Sequence, residues 1–99
     1  MTGAILETMK SVSEEAHEMV AAGAVLVDVR TPREYQEGHL PGAVNIPVDQ
    51  VTARAAEIGP STTAVVVYCM SGPRSARAAA ALKQLGFEKV LNLGPKSAW

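Results

Sequence analysis

The sequence predicts an α/β fold, with a mostly parallel central sheet carrying helices on both faces, in a single domain over residues 1–99. Three observations lead there. Ala24-Val25-Leu26-Val27 and Ala64-Val65-Val66-Val67-Tyr68 are continuously apolar rather than alternating, the pattern of strands buried on both faces. Stretches of helical spacing fall between the strand candidates, and strand-helix alternation builds a parallel sheet. A length of 99 residues, 47% of them hydrophobic, with no repeat, low-complexity tract or linker, provides for one small core.

Taken in order, Ser13 is the expected N-cap of a helix over Glu14 to Ala22, with two acids in its first turn and Gly23 as its stop. The first buried strand follows and ends at Asp28-Val29-Arg30. Thr31-Pro32-Arg33-Glu34 has the form of a capping box with proline at the first helical position, so a short helix should run to about Glu37 and stop at Gly38. Gly42 to Ile46 is a short strand candidate halted by Pro47. Val48, Val51, Ala55 and Ile58 have helical spacing, ended by Gly59-Pro60. After the second buried strand, alanine-rich Ser75 to Leu85 is the strongest helix, closed by Gly86. Val90 to Leu93 is the final strand, followed by Gly94-Pro95 and a tail ending in Trp99. In sheets of this kind reactive residues lie beyond the carboxyl ends of strands, where Asp28-Val29-Arg30 and Cys69 both fall.

The formal net charge is -1, so no bulk field points to nucleic acid or membrane, and neither is expected as a partner. Charge is uneven, however: beyond Cys69 come Arg74, Arg77, Lys83, Lys89 and Lys96 against Glu88 alone. The three lysines are expected to be ordinary solvated charges. A single cysteine makes no internal disulfide and leaves no second thiol for dithiol redox chemistry. Met1 to Met9 lack the pattern of a signal peptide, and no apolar stretch approaches spanning length, so a soluble cytoplasmic protein is expected.

The chemistry concentrates in Cys69-Met70-Ser71-Gly72-Pro73-Arg74-Ser75, where a buried strand gives way through a short loop to a helix. Most free cysteines are small buried hydrophobes. Cys69 instead ends its strand beneath a helix start, whose unpaired N–H groups and partial positive charge favour a thiolate. Gly72 permits a positive φ, so successive amides can turn inward as an anion nest, and Pro73 stiffens the loop. Arginines in a first helical turn oppose the helix dipole; Arg74 is assigned to an anionic visitor and Arg77 to solvent. A cysteine of pKa about 8.5 is only about 3% thiolate at neutral pH, and lowering it by ~2 units takes ~2.7 kcal/mol.

Two motifs then make the chain resemble a single-domain rhodanese, a sulfurtransferase. One runs Leu26-Val27-Asp28-Val29-Arg30-Thr31-Pro32-Arg33-Glu34-Tyr35 and on through Gly38-His39-Leu40-Pro41-Gly42-Ala43-Val44-Asn45-Ile46-Pro47; the other is Val67 to Ser75, with Leu93-Gly94 and Trp99 as weaker echoes. The motif-bearing core covers about residues 11–99. The resemblance implies that Cys69 takes sulfur from a donor such as thiosulfate as a persulfide and passes it to cyanide or a thiol. It implies that Met70, Ser71, Gly72, Pro73, Arg74 and Ser75 bind the substrate, and that no metal or organic cofactor is needed. Asp28, Arg30 and Glu34 are expected to form one supporting network near the loop, with Arg30 able to border the pocket. His39 is expected to be structural and His17 a surface residue. Gly94-Pro95 departs from the two glycines frequent in the family, and many members continue past the tryptophan.

Phosphatases and arsenate reductases of rhodanese shape carry five residues between cysteine and arginine. Here only Met70, Ser71, Gly72 and Pro73 intervene, a loop better sized for one sulfur atom. Two further alternatives stay open: a non-catalytic binding module, whose usual mark is loss of the cysteine, and a relay between a protein sulfur donor and a protein acceptor.

Overall fold

The computed structural model describes residues 10–99. Its elements are α1 (Val12–Ala21), β1 (Val25–Asp28), α2 (Pro32–Glu37), β2 (Val44–Asn45), α3 (Val51–Arg54) between two 3-10 turns (Val48–Gln50 and Ala55–Glu57), β3 (Val65–Cys69), α4 (Pro73–Gln84) and β4 (Val90–Pro95). A last 3-10 turn covers Lys96–Ala98. The four strands are ordered β2-β1-β3-β4 and all pair in parallel.

Parity along β3 divides the core. Val65, Val67 and Cys69 point to the face covered by α3 and α4, where Val51, Ala55, Ala78 and Leu82 meet them. Val66 and Tyr68 point to the opposite face, against Ala16 and Met19 of α1, Leu40, Leu93 and, at the margin, Trp99. All five β3 residues are fully buried, as a central parallel strand requires.

Several sequence expectations need correction. Ser11, not Ser13, caps α1: its hydroxyl accepts from the Glu14 amide, and the Glu14 carboxylate accepts in return from the Ser11 amide. A reciprocal box outcompetes a lone serine, and Ser13 instead donates to the Trp99 carbonyl. The capping box at Thr31 and Glu34 forms as expected. Val48 to Ile58 is not one helix. It breaks into short 3-10 and α turns with no side-chain cap at any of their starts, and the buried Val51, Ala55 and Ile58 hold it down by packing alone. Helix α4 begins two residues earlier than expected, at Pro73, which places Arg74 inside its first turn. Strand β4 runs on to Pro95, with an irregularity at the step from Asn92, partner of Val67, to Gly94, partner of Tyr68. Proline is tolerated there because β4 is a sheet edge.

Candidate active site

Cys69 ends β3, and the chain turns through Met70 to Gly72 into α4. Gly72 has φ +115°, a region L side chains rarely adopt, and its amide donates to Cys69 Sγ at 2.9 Å. The thiol donates to Ser75 Oγ at 3.4 Å, and that hydroxyl donates to the Gly72 carbonyl at 2.9 Å. When the thiol ionises, the Ser75 hydroxyl can turn its one proton from the carbonyl to the sulfur. Burial pushes the Cys69 thiol up, yet the Ser75 hydroxyl and the amides of Ser75, Gly72 and Ser71 together outweigh it, so the thiol lies below its ordinary value. The helix start contributes dipole in the same direction. Cys69 is fully buried, whereas Met70 is 51% exposed at its side.

Arg74 does not stand free at the loop. Its guanidinium makes two hydrogen bonds to Glu34, at 2.7 and 3.1 Å, joining the first turn of α4 to α2. This pairing holds the Glu34 carboxyl at about 2 and keeps Arg74 firmly charged. Glu34 therefore pairs with Arg74 beside the Cys69 loop and not with the Asp28–Arg30 pair, a correction to the single network expected. The reason is positional: its carboxylate also accepts from the Thr31 amide and hydroxyl, which fixes it at the head of α2, facing α4. Three of the five guanidinium N–H groups remain for an anion.

Asp28 and Arg30 form a separate buried unit. Arg30 Nε and Nη2 grip the carboxylate, the latter at 2.7 Å to Oδ2, and the side chains are 0% and 2% exposed. Tyr68 completes it, its hydroxyl donating to Asp28 Oδ2 at 2.9 Å and accepting from the Leu40 amide at 3.0 Å. Burial pushes the Tyr68 phenol up to about 12. Arg30 lies 5.7 Å from the Tyr68 ring centre and donates to the Gly38 carbonyl at 2.8 Å, so it ties the end of β1 to the end of α2. Parity within β3 was the signal for Tyr68, which shares a strand with Cys69 but points to the other face.

His39 stacks on Tyr35 with ring centres 3.7 Å apart, and His17 is exposed and stacks on Trp99 at the same spacing. Arg77 is exposed. Lys96, expected to be solvated, is partly buried and donates to the Gly38 carbonyl at 3.0 Å.

A buried cysteine at a sheet's carboxyl edge, cradled by loop amides at a helix start, is the candidate site of this parallel α/β fold. The chain belongs to the rhodanese-like domain family, whose match covers residues 12–95. It is 46% identical over 76 residues to a sulfurtransferase of Allochromatium vinosum, spanning 76% of this chain and 70% of that protein. It is 41% identical over 69 residues to the Escherichia coli thiosulfate sulfurtransferase PspE, spanning 69% of this chain and 66% of the relative. Among solved structures it resembles a rhodanese with anions from E. coli (TM-score 0.74, 36% identity, 78% of this chain and 92% of that one). It also resembles a human single-domain sulfurtransferase (TM-score 0.72, 29% identity, 86% of each chain). Sulfur donors and acceptors are thus the partner class of its relatives. Among the described residues, no helix is long and apolar enough to cross a membrane.

Proposed function

We propose that this protein is a thiosulfate sulfurtransferase working through a Cys69 persulfide. The observation that carries the reading is the cradle around Cys69 Sγ: the Gly72 amide at 2.9 Å and the Ser75 hydroxyl favour a thiolate in a fully buried position. The thiolate attacks the outer sulfur of thiosulfate; the S–S bond of the donor breaks and sulfite leaves with the electron pair. The amides of Ser71, Gly72 and Ser75 then face the bound sulfur, and Arg74, already charged, receives the donor's anionic end. A thiophilic acceptor, cyanide or a thiol, removes the outer sulfur and regenerates the thiolate. Displacements at sulfur by a thiolate and then by cyanide or an ionised thiol need no proton relay, which agrees with His39 being tied to Tyr35. The unpaired thiol suits a reducing compartment such as the cytoplasm.

Intact mass spectrometry tests the reading. Incubation with thiosulfate should add one sulfur to the wild type, cyanide should discharge it as thiocyanate, and Cys69→Ser should gain none. Hydrolysis of an aryl phosphate without any sulfur gain would replace this reading with the phosphatase one.

A further inference from the structure

Arg74 lies in the chain between two residues that hold the sulfur, Gly72 through its amide and Ser75 through its hydroxyl. Its guanidinium turns instead to Glu34, Nη1 donating to Oε1 at 2.7 Å and Nη2 to Oε2 at 3.1 Å. Nε–H and one proton on each Nη are left for a visitor. Glu34 is fixed in its turn, because Oε1 also accepts from the Thr31 amide at 3.0 Å and hydroxyl at 3.1 Å. With its carboxyl at about 2, Glu34 is fully ionised at neutral pH. Glu34 holds Arg74 charged, the ionised Cys69 adds to this and Arg30 opposes it, so the guanidinium and the sulfur feel each other's charge. The nearby cations are otherwise balanced. Arg30 is paired with Asp28, and Arg77, one turn along α4, lines a groove with Asp49, Val48 and Ala80 that includes no residue of the Cys69 loop. Each charge on a visitor to the sulfur is therefore drawn by one cation, Arg74, and repelled by two anions, Glu34 and the thiolate.

We propose that Glu34 is a specificity-determining residue: by pairing with Arg74 it makes the Cys69 site select singly charged sulfane donors over doubly charged ones. The inference rests on the sulfurtransferase reading and names the donor class within it, an organic thiosulfonate in which a carbon group replaces one charged oxygen of thiosulfate. Thiosulfate is still admitted, but its second charge adds more repulsion than attraction. In the transfer from a thiosulfonate, the Cys69 thiolate attacks the outer sulfur and a new S–S bond forms. The donor's own S–S bond breaks, and the sulfinate leaves with the electron pair. Cys69 is left as the persulfide anion, with no proton moved and no external oxidant or reductant.

Two rate ratios test it, each comparing reagents that differ by one charge. The first is sulfur loading from thiosulfate against loading from methanethiosulfonate, followed by intact mass. Each donor's leaving group is the same in every variant, so the change in the ratio reads the site alone. Glu34→Gln should raise the thiosulfate-to-thiosulfonate ratio about fivefold, the scale of one partly exposed charge pair. Glu34→Asp, which keeps the charge, should stay near the wild-type ratio. A purely structural role would slow both donors together and leave the ratio where it was. The second ratio is alkylation of unloaded Cys69 by iodoacetate against iodoacetamide, above the thiol midpoint, which requires no sulfur transfer. It should rise in Glu34→Gln by a similar factor. A loading or alkylation ratio that is unchanged or lower in Glu34→Gln overturns the charge selection. An alkylation ratio that rises in a protein loading sulfur from neither donor upholds the charge selection at Cys69 but overturns the sulfurtransferase reading, and the donor class with it.

Discussion

At the scale of single residues, the site rests on how one sulfur is solvated by protein. Cys69 is fully buried, so its ionisation depends on donors that replace water, and Ser75 is the side-chain member of that set. Ser75→Ala should raise the thiol midpoint by about one unit, about 1.4 kcal/mol, the value of one hydrogen bond to a charged group. The pH dependence of alkylation rate reads it directly, and an unmoved midpoint would show that the amides alone hold the thiolate. Asp28 acts on stability instead. In Asp28→Asn the Arg30 charge stays buried without its counter-charge, which should cost about 3–5 kcal/mol in urea unfolding. The Cys69 midpoint should hardly change, because Asp28 touches Tyr68 and Arg30 but not the sulfur.

At the scale of elements, the loop between β3 and α4 is held at two points, by its own backbone and by α2. Gly72 supplies the first. A Cβ at Gly72 would meet no atom within 4 Å, so the penalty for Gly72→Ala is backbone strain at φ +115°. We expect a loss of about 1–3 kcal/mol together with a raised thiol midpoint as the amide turns away from sulfur. The Glu34–Arg74 pair is the second hold. The Glu34 carboxyl lies at about 2 in the fold against an ordinary value of 4.5, so its stabilisation is complete above pH 4.5 and is lost as pH falls toward 2. Glu34→Gln should therefore lower stability by roughly 1 kcal/mol at neutral pH, and the difference from wild type should shrink when unfolding is repeated near pH 3. Much of this arrangement was legible in the sequence, because punctuation by Gly, Pro and capping boxes is local: the Thr31 box, the end of β3 at Cys69 and the turn at Gly72 all follow from neighbours in the chain. The pairing of Glu34 with Arg74 was not, since it joins residues 40 apart through a side-chain contact between the starts of α2 and α4. Lys96 escaped for the same reason, its partner Gly38 lying 58 residues away.

At the scale of the whole molecule, the sheet separates two cores that serve the site differently. The face holding Cys69, Val67, Ala78 and Leu82 sets where α4 lies along β3, while the opposite face ties Tyr68 to Asp28 and Leu40. Continuous apolarity revealed that both faces of β3 are covered, but not which helix covers which, because periodicity within one strand carries no information about its partners. The division yields a test of how far stability and reactivity are coupled. Leu82 is fully buried on the Cys69 face, two turns along α4 from the residues that touch the sulfur. Leu82→Ala should destabilise by about 2–5 kcal/mol, a large share of the ~5–15 kcal/mol typical of such domains. The donors to Cys69 come from the loop and the first turn of α4, which Glu34 and Gly72 fix independently of Leu82. The folded fraction of Leu82→Ala should therefore keep a depressed thiol midpoint even as its urea transition moves to lower concentration. A midpoint that rises in step with lost stability would mean that the core, and not the loop, holds the helix start against the sulfur.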